Sequence, residues 1–96
     1  MSAPWFLYMI QTRHSTLYTG VTTDVERRLS QHASGKGAKY LRGKAPLTLV
    51  FHQEVESKGV ALSLEAKVKK LTKVKKLDLI SGRLSLLSLL NNKKEI

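Results

Sequence analysis

The sequence predicts an α+β fold in which helices pack on a small antiparallel sheet. Two short apolar and aromatic runs lie near the N-terminus, separated by a polar stretch, and a third lies in the middle of the chain. Apolar residues at helical spacing follow the second and third runs. The resulting element order, β-β-α-β-α-α, suits a sheet that buries its apolar face against helices.

The length of the chain is enough for one domain. Its 96 residues include 42% hydrophobic residues, so a packed core is expected rather than disorder. We assign the domain to residues 1–82 and treat residues 83–96 as a C-terminal extension. Within the extension we expect a short helix packed on the sheet over residues 83–90 and a frayed tail over residues 91–96.

The three strands are indicated by short apolar runs with turn residues beside them. Residues 5–10 are continuously apolar, which is typical of a central strand covered on both faces. Residues 13–16 are polar and predict a hairpin loop into a second strand at residues 17–21, where Gly20 indicates a bend or a close backbone approach. Residues 47–55 alternate imperfectly and predict the third strand.

A capping box predicts the start of the first helix. Thr23 and Glu26 have the residue types of such a box, with Thr23 as the N-cap. A helix is therefore expected from residue 24 to residue 33, with Gly35 near its end.

Apolar residues at helical spacing predict two further helices in the second half of the chain. Val60, Leu64 and Val68 indicate a helix over residues 60–70. The same spacing continues over residues 74–80, and Gly82 is expected to end that segment.

The charge balance predicts a polyanionic partner. Lys and Arg number 17 and Asp and Glu number 7, giving a net charge of +10. Such an excess attracts DNA, RNA or an anionic membrane surface. A cationic solubilising surface and a ribosome-associated protein are the simpler alternatives.

Two stretches carry most of the positive charge. Residues 27–44 carry six basic side chains and no acidic residue, and residues 67–76 carry six lysines. Within the first stretch, residues 34–39 form a basic, glycine-rich loop that can present N–H groups and lysines to phosphates. A solvated outer helix face accounts for about half of that lysine run. The residues expected to contact phosphate groups are Arg27, Lys36, Lys39, Arg42, Lys44, Lys73 and Lys76.

The chain has no cysteine, which excludes disulfides and thiolate metal sites. The apolar run at residues 5–10 is far shorter than the ~20 residues of a membrane span, and it lacks the features of a signal peptide. A cytoplasmic location with no membrane partner is therefore expected.

Arg28 and His32 lie four residues apart on the first predicted helix and flank its apolar face. Both are expected against the body of the protein, whereas Arg27 and Gln31 point elsewhere. A positioned guanidinium can stabilise charge on a phosphate, and a nearby imidazole can orient water or transfer a proton. The alternative is an arginine and a histidine at the rim of the core, with their polar tips in water.

Glu65 is the only acidic residue between Leu64 and Lys76. It lies at the edge of an apolar helix stripe, where its carboxylate can hold one hard divalent cation such as Mg²⁺. The alternative is a surface ion pair with Lys69, four residues further on.

Tyr8 and Tyr18 are expected on neighbouring strands of the hairpin. A phenol has an ordinary pKa near ~10, so it acts as a base only where cations or a metal lower that pKa. The alternative is a pair of core tyrosines with their hydroxyls at the surface.

These residues occur in the order found in the GIY-YIG nuclease superfamily, which the chain resembles from about Trp5 to Ile80. Phe6-Leu7-Tyr8 stands at the first family motif and Tyr18-Thr19-Gly20 at the second, with both tyrosines and the glycine matching. Val21 stands where many relatives have a lysine.

The rest of the resemblance lies in the two predicted helices and the loop between them. Arg28, His32 and Glu65 match the family's arginine, histidine and metal-binding glutamate. The loop at residues 35–40 resembles that of the small single-domain bacterial branch. The lysine-rich segment at residues 71–77 resembles the segment that comes after the glutamate in the family.

The resemblance implies a three-stranded antiparallel sheet with flanking helices and hydrolysis of DNA phosphodiester bonds on one metal ion, in DNA repair or processing. Glu65 is implied as the protein ligand of Mg²⁺ or Mn²⁺. Tyr18, helped by His32, is the first choice for the base that activates water. Tyr8 would orient the water or the phosphate, and Arg28 would stabilise the charged transition state.

Two other classes of function stay open. One is a non-catalytic nucleic-acid-binding module on the same fold, and the other is a membrane-surface or ribosome-associated basic protein. DNA is the expected partner and RNA is not excluded. The chain is too short for a separate DNA-binding domain beside this one, so choice of target is expected to come from the domain itself or from a partner protein.

Overall fold

A three-stranded antiparallel sheet of order β2-β1-β3 forms the centre of the computed structural model, which describes residues 3–91. The strands are β1 (Trp5–Gln11), β2 (Leu17–Thr22) and β3 (Thr48–Val55), and the helices are α1 (Val25–Ala33), α2 (Lys58–Lys69) and α3 (Lys73–Ser81). Short 3₁₀ helices span Lys39–Leu41 and Leu86–Asn91. The predicted α+β class, the three-stranded sheet and the order β-β-α-β-α-α are confirmed.

The central strand β1 separates two apolar clusters. Leu7 and Met9 lie on one face, in the core that α2, α3 and the second 3₁₀ helix complete. Tyr8 and Ile10 lie on the other face, in a smaller cluster with Leu41. Alternate residues of a strand point to opposite faces, so the continuous apolar run is buried on both sides, as its sequence predicts.

The pairing of β1 with both neighbours sets which residues share a face. Tyr8 pairs with Gly20 of β2 and with His52 of β3. The register with β3 shifts between Met9 and Ile10, where Phe51 and Leu49 are the successive partners. One extra residue of β3 is therefore accommodated at that point as a bulge.

The N-terminus of α1 differs from the sequence prediction by one residue. Asp24, and not Thr23, is the N-cap, and its side chain accepts the Arg27 N–H at 3.1 Å. The Asp24 N–H donates in turn to the Thr22 hydroxyl at 3.1 Å. Aspartate is at least as good a cap as threonine, so the residue types alone do not choose between the two positions. The backbone of Asp24 is extended, which makes Asp24 the cap. As predicted, the helix ends close to Gly35. The backbone of Gly35 is left-handed, with φ 84°.

The later helices keep their predicted places with small changes at their ends. Helix α2 starts at Lys58, two residues before the predicted start, because Ser57 caps it by accepting the Val60 N–H at 3.2 Å. As predicted, helix α3 ends at Gly82. The backbone of Gly82 is left-handed, with φ 89°. No helix within residues 3–91 is long and apolar enough to cross a membrane.

The short helix expected over residues 83–90 is a 3₁₀ helix at Leu86–Asn91, and it packs against α2. Its Leu86 is buried in the same core as Leu7 and Met9. Asn91 belongs to this 3₁₀ helix and not to the tail expected to start there. The rest of that predicted tail, residues 92–96, lies outside the described residues.

Candidate functional site

The hairpin of β1 and β2 brings Tyr8 and Tyr18 to one face of the sheet. Their ring centroids lie 6.3 Å apart. Tyr40, from the first 3₁₀ helix, stacks on Tyr18 with centroids 6.0 Å apart and an interplanar angle of 21°. Tyr40 is 47% exposed, so this aromatic group runs from the buried Tyr8 to the surface.

Gly20 makes room for the Tyr8 hydroxyl. A Cβ atom at position 20 would lie 2.5 Å from the Tyr8 Oη, closer than real Cβ contacts allow. The close approach predicted from the glycine in β2 is therefore an approach by the tyrosine side chain of the neighbouring strand.

Helix α1 places His32 against this tyrosine. The His32 side chain is buried, with the residue 3% exposed, and its Nε2 lies 2.8 Å from the Tyr8 Oη. The Ala38 N–H donates to the His32 Nδ1 at 3.0 Å. In the neutral imidazole Nδ1 is then the acceptor, so Nε2 carries the proton and donates it to the Tyr8 oxygen.

The loop after α1 packs closely on the imidazole. A Cβ atom at Gly37 would overlap the His32 Nδ1. The same loop supplies the Ala38 N–H that fixes the tautomer. Part of the glycine-rich loop predicted to cradle phosphates thus positions His32.

Burial keeps both members of this pair neutral. Desolvation raises the pKa of Tyr8 to about 12, aided by Tyr18 and Glu65 and opposed by Arg28. Desolvation also lowers the pKa of His32, and the neighbouring Arg28 lowers it further. At neutral pH the pair is a phenol and a neutral imidazole.

Arg28 lies beside the pair on α1. It is half-buried, whereas Arg27 is exposed, in agreement with the helix register predicted from the sequence. The Arg28 Nη1 donates to the Gln31 Oε1 at 2.9 Å. Gln31, which was expected to point elsewhere, is half-buried, and it meets Arg28 because residues three apart on a helix are surface neighbours.

Glu65 lies on α2 and acts on the same tyrosine through its charge. Its side chain is 20% exposed and forms an ion pair with Lys69 at 3.2 Å. Its charge contributes to the raised pKa of Tyr8. Residues 3–91 contain no cluster of three or more His, Cys, Asp or Glu side chains that could hold a metal. A cation at Glu65 would therefore take its other ligands from water and substrate, which fits a hard ion such as Mg²⁺.

The basic residues predicted to bind phosphate divide into two groups. Five are exposed: Arg27, Lys36, Lys39, Arg42 and Lys73. Lys44 places its Nζ 3.4 Å from the centroid of the Tyr40 ring, and Lys73 donates to the Ser15 carbonyl at 2.8 Å. Lys76 is half-buried on α3.

Sequence reasoning missed four residues that complete the arrangement. They are Gln31, Gly37, Ala38 and Tyr40. The third tyrosine, inside a basic loop, was a visible signal for Tyr40. The Ala38 contact uses only a main-chain N–H, which no residue type indicates.

A three-stranded sheet with two tyrosines on one face, flanked by a helix that carries arginine and histidine, defines the GIY-YIG class of domain. The profile described as the GIY-YIG catalytic domain matches residues 4–78. The chain belongs to the GIY-YIG family, a family of nuclease domains, and the predicted resemblance is confirmed.

Three relatives match this chain over most of their own length. The UPF0213 protein YhbQ of Escherichia coli K12 is 59% identical over 78 residues, covering 81% of this chain and 78% of its own. The UPF0213 protein BH0048 from Bacillus halodurans has a solution structure with a TM-score of 0.55 and 38% identity, covering 97% of this chain and 99% of its own. The structure of protein EF2693 from E. faecalis has a TM-score of 0.53 and 28% identity, with coverages of 99% and 94%.

Proposed function

We propose that the chain is a DNA nuclease that hydrolyses phosphodiester bonds with one divalent metal ion at Glu65 and acts in DNA repair or processing. The observation that carries this proposal is the buried hydrogen-bonded series from the Ala38 N–H through His32 to Tyr8, with Arg28 beside it. Burying an imidazole and a phenol hydroxyl is costly, and apolar side chains would pack the same space. Family membership supports the same activity.

Tyr8, rather than Tyr18, is assigned as the group that takes the proton of the attacking water. His32 donates its Nε2–H to the Tyr8 oxygen, so it stabilises negative charge on that oxygen. This assignment replaces the sequence-based preference for Tyr18. Tyr18 packs against His32, with centroids 5.5 Å apart, and lines the site.

A further positive charge is needed for this role, because the pKa of Tyr8 is about 12. Mg²⁺ or Mn²⁺ at the Glu65 carboxylate would supply it, lowering the pKa of nearby acids and stabilising the leaving oxygen. Glu65 already influences Tyr8 electrostatically, which supports a placement of the ion near the phenol.

Arg28 is assigned to the non-bridging oxygens of the phosphate. Its hydrogen bond to Gln31 uses one nitrogen of the guanidinium, and the other donors can bind an anion. Preorganised donors of this kind stabilise the charge that develops in the transition state.

A second candidate function is a non-catalytic nucleic-acid-binding module. The observation that favours it is the ion pair of Glu65 with Lys69, which accounts for the glutamate without a metal. Such a pair contributes at most about 0.5 kcal/mol to folding.

Matched variants of the two partners separate these functions. Glu65→Gln keeps size and helix propensity but removes the charge that a hard cation needs. It should fold, bind DNA and lose metal-dependent cleavage. Lys69→Gln breaks the same ion pair but leaves the carboxylate, so it should cleave at close to the wild-type rate.

The measurement is a cleavage time course on labelled single-stranded, duplex, flap and branched DNA, with and without Mg²⁺. Circular dichroism and a gel-shift titration check folding and binding. Cleavage by Glu65→Gln at the wild-type rate would disprove the metal site. If the wild-type protein cleaves no DNA in this panel, the binding module is the better conclusion.

A further inference from the structure

A cleft of about 300 Å³ adjoins the candidate site and shares Arg28 with it. The apolar residues that line it are Trp5 and Val21. Its basic lining residues are Arg27 and Arg28. The volume lies at the lower end of the range typical of small-molecule sites, roughly 300–1,000 Å³.

The apolar and the basic lining residues differ in the chemistry they accept. Guanidinium groups bind phosphate oxygens, whereas an indole stacks on flat rings such as nucleobases. Asp24 also lines the cleft, and its carboxylate is held in place by the Arg27 N–H. That carboxylate repels phosphate and accepts hydrogen bonds from the N–H groups of a base.

Trp5 is held in a fixed position at the cleft. It begins β1, pairs with Val55 of β3 and packs against the main core. The Lys58 ammonium lies 5.6 Å from the centroid of its ring, and Lys58 does not line the cleft. The indole is therefore supported by other elements while it contributes to the cleft wall.

We propose that this cleft is a nucleotide subsite next to the scissile phosphate. Arg27 binds the neighbouring phosphate, and the nucleobase attached to that nucleotide lies against Trp5. The assignment rests on the proposed function in one respect, namely that Arg28 binds the scissile phosphate. It assigns Trp5, Val21 and Arg27 to substrate recognition rather than to the reaction.

Trp5 provides a direct test, because it is the only tryptophan in the chain. The Glu65→Gln protein, without added metal, is titrated with a short oligothymidylate and with an oligomer of equal length whose sugars carry no bases. Tryptophan fluorescence reports the indole contact, and anisotropy of an end label reports binding. We expect the base-bearing oligomer to quench the fluorescence and the abasic one to bind without quenching.

Two variants test the apolar and the basic lining residues separately. Trp5→Leu should weaken binding of the base-bearing oligomer about 10-fold, the effect of one lost stacking contact, and leave the abasic oligomer unaffected. Arg27→Ala should weaken binding of both oligomers alike, because both carry the same phosphates. Circular dichroism checks that each variant is folded, and the quenching experiment needs no change at position 5.

Equal quenching by the two oligomers, or no quenching by either while both bind, would overturn the subsite. Unchanged affinity of folded Trp5→Leu for the base-bearing oligomer would overturn it as well. Base-dependent quenching by a chain that cleaves no DNA supports nucleotide binding in the cleft and contradicts the proposed hydrolysis. Cleavage by wild type without base-dependent quenching contradicts the subsite alone.

Discussion

Gly37 shows how one absent side chain can determine the position of another. The His32 imidazole occupies the space where a Cβ atom of residue 37 would stand, and the next residue along the loop donates the N–H that fixes the imidazole tautomer. The hydrogen bond from His32 to Tyr8 depends on both. Gly37 is therefore a positioning residue for the candidate site.

Gly37→Ala should lower the cleavage rate about 10²-fold, the cost of misplacing a site group by roughly 1 Å. Gly35→Ala is the matched control in the same loop. At Gly35 nothing lies within 4 Å of the added Cβ, but its φ of 84° disfavours alanine by about 1 kcal/mol. Gly35→Ala should therefore lower the melting temperature and leave the cleavage rate unchanged.

A spectroscopic readout makes this test independent of activity. Nitrogen chemical shifts of the His32 ring should report the Nε2–H tautomer in wild type and in Gly35→Ala, and a changed tautomer equilibrium in Gly37→Ala. Unaltered shifts and an unaltered rate in Gly37→Ala would contradict the positioning role.

Within the candidate site, the sequence could place only the side chains that lie on helices and strands. The helix wheel puts Arg28 and His32 on the inner face of α1, and strand pairing brings Tyr8 near Tyr18. These placements follow from periodicity and need no tertiary information. The loop contacts could not be predicted from the sequence. Whether a main-chain N–H reaches a ring six residues away depends on the path of the folded chain.

At the scale of elements, the ends of the helices were the least predictable feature. The sequence predicted Thr23 as the cap of α1, whereas the extended backbone of Asp24 makes Asp24 the cap. The start of α2 was placed too late because Lys58 and Gly59 add no apolar periodicity. Boundaries depend on individual capping bonds, whereas the existence of an element depends on a repeated pattern.

Asp24→Ala should reduce the free energy of unfolding by about 1 kcal/mol, because the Arg27 N–H loses its acceptor. Thr23→Ala is the matched control and should change that free energy by only a few tenths of a kcal/mol. Chemical denaturation of both variants measures the difference. A larger loss of unfolding free energy in Thr23→Ala than in Asp24→Ala would show that Thr23 is the cap, as the sequence predicted.

At the scale of the whole molecule, the net charge of +10 is the dominant property. The sequence predicted that this charge binds phosphates, and five of the basic side chains expected there are exposed. Lys44 and the exposed Lys73 have partners within the protein, at the Tyr40 ring and the Ser15 carbonyl. Charge counting reveals the total but not which side chains have internal partners.

Binding to duplex DNA should weaken steeply with salt. Four to six phosphate contacts, a number assumed from the exposed basic residues, give a slope of log K against log salt of about −4 to −5. Replacing Lys36, Lys39 or Arg42 singly by alanine should reduce the slope by about 1 each. Anisotropy titrations over a series of salt concentrations measure it, and a slope near zero would exclude binding through the DNA backbone.

The alternation along β1 also limits how this protein can change during evolution. Leu7 and Met9 belong to the main core, while Tyr8, between them, belongs to the candidate site. An insertion or deletion of a single residue in β1 would exchange the two sets, so viable changes of length there come in pairs. The bulge of β3 opposite Met9 and Ile10 shows that an edge strand can absorb one residue while the central strand keeps its alternation. Lineages should therefore differ in length at the hairpin loop and along β3, and share an unbroken β1.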